Sequence, residues 1–527
     1  MVATRDISSL AIKLSDAGAA EIDFSFLANS PLAVLDPTGH FQPLLATELP
    51  SLERGTWVVR PDGTMQTTWT IRPQARWHDG QPVTVQDFIF ALAVYRDPAL
   101  LVPDRRPEEY IDHISAVDDH TFRIDWNQSY LQADQLIFKR LPPLPAHVLG
   151  PLYRAGDPQA FQNDPFWTSP AYVGDGPFRL VAWDKGVEQR YAAFDQYFLG
   201  RPQLDEIVVK IIPDANAVLG NVLSGAVDFT GAASLSPETA HTADAAPGHA
   251  GGQVVHTMGS LRAARFQYDP AVTTQPALAD VRVRQAIALG IDRAAIADLV
   301  SAGTSLVAET PVAPGHPLYD RVQQAIAHYP YDPARARSLL ADAGWGVQGT
   351  TLVNLAGQPF TLDITGSRSQ DNDTERGALQ GYLTQLGMQV TVSAYDLRAT
   401  DREQIAKFPG LRTGTAIAED LPSDLNIYTT AQCPTAATRY VGDNGGCWSN
   451  AAFDQLYQVA TTSLGEAERA DATVQALTIL TDEVGILGLS HLVQHDWIRA
   501  GLVGPGPLAA GQKGGYTWNV QDWHWAT

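Results

Sequence analysis

The sequence predicts an α/β protein of two or three domains. Three observations lead there. At 527 residues the chain is too long for one hydrophobic core. Residues 68–92 (TWTIRPQARWHDGQPVTVQDFIFAL) read as strand, tight turn and capped helix. Residues 207–229 read as strand, helix, strand, which implies a sheet with crossover helices.

The elements follow in order. Residues 24–36 (FSFLANSPLAVLD) are apolar and helical or strand-like, and no short strand stands out before them. Met65, Thr67, Trp69 and Ile71 alternate with mostly polar neighbours, as a half-buried strand requires. Asp79-Gly80 is a turn pair. Thr84, three residues before Asp87, opens a capping-box-like helix with Phe88, Ala91, Leu92 and Tyr95 on one face. Residues 110–126 read as strands around an Asp118-Asp119 turn, and 141–149 (LPPLPAHVL) as irregular. In 173–180 (VGDGPFRL), Gly174 and Gly176 allow a tight turn before a strand. Next come the aromatic turn 194–202 (FDQYFLGRP), a buried-type strand at 207–213, and a helix capped by Asp214 and stopped at Gly225. A strand resumes at 227–229. Residues 236–252 read as a loop, and 261–268 as a strand.

In 280–300 (DVRVRQAIALGIDRAAIADLV), Asp280 caps a helix with Val283, Ala286 and Ile287 inward. Gly290 ends it and Asp292 caps the next. Asp332, Pro333 and Gly344 bracket a further helix over 331–345 (YDPARARSLLADAGW). A helix and strand fill 378–392, a helical pair begins at Asn450, and 484–503 alternates like strands.

Composition narrows the function. There are 36 basic and 58 acidic residues, for a formal charge of −22, which argues against nucleic acid or an anionic membrane as partner. No apolar run approaches the roughly 20 residues that span a bilayer. The first 16 residues lack a secretory pattern, which leaves a cytoplasmic protein or one whose leader has been removed. Cys433 and Cys447 flank a polar, Gly-rich loop. A loop-closing disulfide fits there, as do two free thiols.

Catalytic signatures are missing. There is no G-x-S-x-G and no H-E-x-x-H, and the Gly174–Gly176 loop lacks the phosphate-loop pattern. His491 and His495 are four apart, as zinc ligands on a helix would be, but 486–493 looks like a strand and no third ligand is evident. His78 reads as a general base or, better placed as it is between strand end and helix cap, as a turn-stabilising residue. Arg282 and Arg284 read as anion ligands or as ion-paired surface groups.

Five stretches in this order, 68–92, 173–180, 194–202, 280–300 and 331–345, together with the aromatic end 516–525 (YTWNVQDWHW), resemble the large solute-binding proteins of bacterial ABC importers that bind oligopeptides, dipeptides, nickel and related ligands (family 5, extracellular). The resemblance covers roughly residues 24–525. It implies a bilobed periplasmic-binding-protein type II fold with an additional α+β subdomain and a two-segment hinge. On that plan 1–48, 166–256 and 485–527 form lobe I, 49–165 the extra subdomain and 257–484 lobe II. It also implies an extracytoplasmic protein, periplasmic or a cell-surface lipoprotein. Such a protein is a monomer without a cofactor, is not an enzyme, and hands a ligand, a short peptide above all, from an interlobe cleft to ABC permease subunits. An oligosaccharide or a metal chelate is the alternative ligand on this fold, and a peptide hydrolase a remoter one.

In peptide-binding members an acid in lobe II holds the peptide ammonium. The matching stretch is 415–428 (TAIAEDLPSDLNIY), where Glu419 or Asp420 would take that role and Asp424 is a weaker candidate. The same three residues also read as solvated loop acids. The aromatic that often precedes the acid in the family is replaced by Ala416, Ile417 and Ala418. Arg412 would meet a ligand carboxylate bidentately, or is a surface charge. Trp448 would stack on a ligand or seal the cleft, or belongs to the core.

Overall fold

The computed structural model describes residues 1–15, 19–231, 234–396, 400–416, 421–463, 465–509 and 515–527. The chain divides into two compact units. The first holds residues 1–257, 494–509 and 515–527; the second holds 258–493. Residues 49–165 group with the first unit, and the second chain crossing falls at 493–494. Among the described residues no helix is long and apolar enough to cross a membrane.

The first unit contains two four-stranded sheets. In one, Glu206–Ile211 lies between Val2–Ala3, its parallel partner, and Glu188–Ala193, which pairs in turn with Phe178–Asp184. The Val2–Ala3 strand is the opening strand that the sequence did not reveal. Two residues cannot show an alternation, and the partner lies some 200 positions away.

The other sheet runs Trp57–Val59, Met65–Thr70, Thr121–Trp126, Ile111–Ala116. Met65, Thr67 and Trp69 are buried and their neighbours half-buried, so the expected alternation is realised. The helix Val85–Arg96 follows as read, and Phe88 stacks on Phe122 with ring centroids 4.9 Å apart. Its N-terminus is fixed by Asp87, whose carboxylate accepts the Thr84 N–H at 2.8 Å. The Asp118 turn also stands, with its carboxylate accepting from the His120 and Thr121 N–H groups.

The second unit is built on a five-stranded sheet ordered Gln389–Val392, Thr361–Gly366, Leu411–Ala416, Gly252–Phe266, Ile486–Arg499. Asp280 and Asp292 cap the helices Val281–Leu289 and Arg293–Ser301, each accepting a backbone N–H near 3 Å, and Asp332 caps Pro333–Asp342 likewise. Val283, Ala286, Ile287, Leu340, Ile364 and Leu383 close one core of this unit. A second core gathers around Trp448, Phe453 and Leu477.

Four local expectations are corrected. Residues 236–252 are not a loop: Pro237–Ala245 is a helix capped by Ser236, whose hydroxyl accepts the Thr239 N–H at 3.2 Å. Its composition, PETAHTADA, carries too few large apolar residues to show a helical period, although Ser-Pro-Glu is a start signal. The irregular stretch 141–149 ends in the helix Ala146–Arg154. The helix read from 378 begins earlier, at Gln370, behind the cap Ser369. Residues 227–229 give only an isolated bridge from Phe229 to Ile498.

Candidate functional site

The site begins with a register. The strands Gly252–Phe266 and Leu411–Ala416 run antiparallel and place Arg265 directly opposite Arg412. Directly opposed residues project from the same face of a sheet, so two guanidinium groups share one side. Like charges so placed are destabilising. Among the described residues neither arginine forms an ion pair.

Arg265 is 8% exposed, and its Nε is buried without a hydrogen-bond partner. Beside it the Tyr428 hydroxyl is also buried without a partner. Burial pushes that hydroxyl's pKa up, while the Arg265 charge acts the other way. Arg412 donates from Nη1 to the Ile405 carbonyl at 3.2 Å and lies 5.3 Å from the Phe408 ring centre. Burial, and secondarily the Arg265 charge, bring its pKa down to about 10, which leaves it cationic at neutral pH.

Neighbouring arginines are treated differently. Arg262 meets the fully buried Glu375 at 2.7 Å, and Arg293 meets Glu309 at 2.9 Å. Arg376 pairs with Asp373. Arg284 spends its donors on the carbonyls of Leu278, Ala279 and Glu483, and Arg282 pairs with Asp280 on the surface. Arg265 and Arg412 instead face an open pocket of about 540 Å³, within the range of small-ligand sites. Ser367, Tyr395, Thr415, Tyr440 and Asp443 complete much of its wall.

One glycine makes room for a cation: a Cβ on Gly445 would lie 2.2 Å from Arg412 Nη2. The wall from Pro434 to Asp443 belongs to a loop closed by a disulfide between Cys433 and Cys447. The loop-closing reading of the two cysteines is therefore the one the structure adopts, and no free thiol remains.

Of the residues singled out from sequence, Arg412 lines the pocket. Glu419 and Asp420 lie outside the described residues. Asp424, half-buried, sits in the first turn of the short helix Ser423–Tyr428. Trp448 is 3% exposed, packs edge-on against Phe453 with centroids 5.1 Å apart, and donates its indole N–H to Glu483 at 3.0 Å. That is a core environment, in which the ring presents no open face. Arg265 was not singled out. Its signal was a second cation, three residues after Arg262, in the otherwise apolar run LRAARF, whose positions are mostly buried.

The remaining candidates are structural. His491 and His495 lie on the strand Ile486–Arg499, where four residues span roughly 13 Å, too far for one ion. His495 Nδ1 instead lies 2.8 Å from His256 Nδ1. His78 is buried and joins two distant stretches of the first unit. Its backbone N–H donates to the Gly174 carbonyl at 2.7 Å, Gly174 N–H donates to Nδ1 at 3.2 Å, and Nε2 lies 3.0 Å from the Gly176 carbonyl. A carbonyl cannot donate, so Nε2 carries the proton and the ring is neutral. Burial pushes its pKa down to about 4.

Comparison with known proteins places the chain in a class. The fold is that of the type II periplasmic binding proteins. An oligopeptide-binding protein of Thermus thermophilus, solved with a pentapeptide, superposes with a TM-score of 0.73 at 22% identity, over 100% of this chain and 96% of that one. Residues 40–435 match the model of the bacterial extracellular solute-binding proteins, family 5, and the protein belongs to that family. A probable ABC transporter-binding protein of Deinococcus radiodurans is 26% identical over 79% of this chain and 72% of its own. A di/tripeptide-binding protein of Pseudomonas aeruginosa is 24% identical over 88% and 85% respectively.

Proposed function

We propose that this protein captures a short peptide outside the cytoplasm and delivers it to the permease of an ABC importer. The observation that carries the reading is Arg412: a half-buried cation, without an ion-pair partner among the described residues, on the wall of an open pocket. A peptide's terminal carboxylate is the ligand group that meets a guanidinium in two parallel hydrogen bonds. Glu419 or Asp420 would hold the ammonium end, with Asp424 as the weaker alternative. Membership of a family of extracellular solute-binding proteins supports the import role, and the Cys433–Cys447 bond suits an oxidising compartment.

Calorimetry with di- to hexapeptides, as free acids and as C-terminal amides, tests this. Free acids are expected to bind and amides to bind markedly less. Glu419→Gln and Asp420→Asn, made singly, should identify the ammonium partner. Silence to all peptides, with a response to a metal chelate or a sugar, would remove the peptide while keeping the class.

A further inference from the structure

Besides the exposed Arg402 at its edge, the pocket holds two inner cations, Arg265 and Arg412, one more than a peptide terminus needs. A terminal carboxylate carries one negative charge and is satisfied by one guanidinium. Here two guanidiniums stand opposite each other on adjacent strands, and among the described residues neither has a carboxylate partner. The second, Arg265, is more than nine-tenths buried, and its Nε is without any hydrogen bond. A buried cation without a partner is destabilising, and nearby arginines show that this unit supplies acids where it needs them. Asp443 shares the pocket and its charge acts weakly on Arg412, yet it bonds neither guanidinium.

We propose that the site selects ligands whose end bears two carboxylates, one held by Arg412 and the other by Arg265. For a peptide this means a C-terminal Glu or Asp, with the α-carboxylate on Arg412 and the side-chain carboxylate on Arg265. This specificity rests on the reading of Arg412 given above. It assigns Arg265 as the residue that separates acidic from neutral ligands. It also accounts for the local concentration of positive charge in a chain whose formal charge is −22, which would otherwise disfavour an anion. The disulfide-closed loop then forms one wall of the site.

The test compares Ala-Ala-Glu, Ala-Ala-Gln and Ala-Ala-Lys by calorimetry on the whole protein, beside Arg265→Met and Arg265→Lys. Citrate serves as a non-peptide ligand with adjacent carboxylates. Ala-Ala-Glu should bind on the order of tenfold or more tightly than Ala-Ala-Gln, as a charge-assisted pair contributes. Arg265→Met should abolish the difference between the two peptides, and Arg265→Lys should restore part of it. Circular dichroism and thermal melting confirm that each variant is folded. Equal binding of Ala-Ala-Glu and Ala-Ala-Gln by the unaltered protein overturns the proposal but leaves the peptide reading intact. Citrate binding that depends on Arg265, with silence to all three peptides, does the reverse. Silence to every ligand overturns both.

Discussion

Two places in this molecule bring distant stretches together through a buried cationic-type side chain, and they are built on opposite terms. In the first unit, His78 meets the Gly174–Gly176 loop and both ring nitrogens have backbone partners. Asp175 of the same loop caps the Ser30 N–H at 2.9 Å, and Tyr172 donates to Asn29 at 2.7 Å. In the second unit, Arg265 and Arg412 face each other without an ion-pair partner among the described residues, and Arg265 Nε has no hydrogen bond. In the first the imidazole is fully paired, as buried polar groups usually are, although Asp175 Oδ2 beside it is buried without a partner. The second carries a standing cost, and such costs collect where a site awaits a ligand.

The largest effect expected from breaking this contrast is at Gly174. A Cβ there would lie 1.9 Å from the Ala28 carbonyl oxygen, a backbone atom that cannot swing away. Gly174→Ala should cost about 3–5 kcal/mol, read as a fall in the urea midpoint. A midpoint within experimental error of the parent would mean that the loop is not the tight junction described here. The pocket wall gives the next effect. Opening the disulfide with Cys433→Ser and Cys447→Ser together should lower stability by about 3 kcal/mol, because the unfolded loop regains its freedom. Ligand affinity should fall with it, and denaturation with and without dithiothreitol on the parent provides the check.

His78 adds a pH dependence whose sign follows from its depressed pKa. The unfolded imidazole titrates near 6.5 and the folded one near 4, so between those values the unfolded chain binds more protons. The stability His78 contributes is present above pH 6.5 and is lost as pH falls towards 4, about 3 kcal/mol in all. Asp175, raised by burial to about 7, works the other way: its contribution is lost as pH rises through 7. The difference between the parent and His78→Gln therefore isolates the histidine. It should be largest near neutrality and shrink on acidification, and a difference independent of pH would refute the neutral, doubly bonded ring.

Much of the fold was legible because its junctions have local chemistry. Asp214, Asp280, Asp292 and Asp332 each accept a backbone N–H as the sequence pattern requires. The opening strand was not legible, since two residues in a ladder have no pattern of their own. Nor was the helix after Ser236, whose small polar residues hide its face. The site was half legible. Arg412 could be read because it sits beside the acidic stretch that the family resemblance marks. Arg265 lies about 150 positions earlier, and only the strand register makes the two neighbours. Trp448 showed the converse: an aromatic beside a Gly-rich loop looked available for stacking, while Phe453 and Glu483 hold it in the core.

The smallest expected effect is also the one with inverted sign. If the Arg265–Arg412 pair stands uncompensated until a ligand arrives, removing one charge should relieve the ligand-free protein. Arg265→Met keeps the length and apolar body of the stem while deleting the cation. It should raise stability by about 1 kcal/mol, a gain of roughly 2–4 °C in the melting temperature of a domain this size. Added salt should narrow the gap by screening the repulsion in the parent. Saturating ligand should reverse it, because only the parent gains the second ion pair. A ligand-free melting temperature that drops, as at Gly174, would show that Arg265 is held by the fold like His78 and would dissolve the contrast between the two regions.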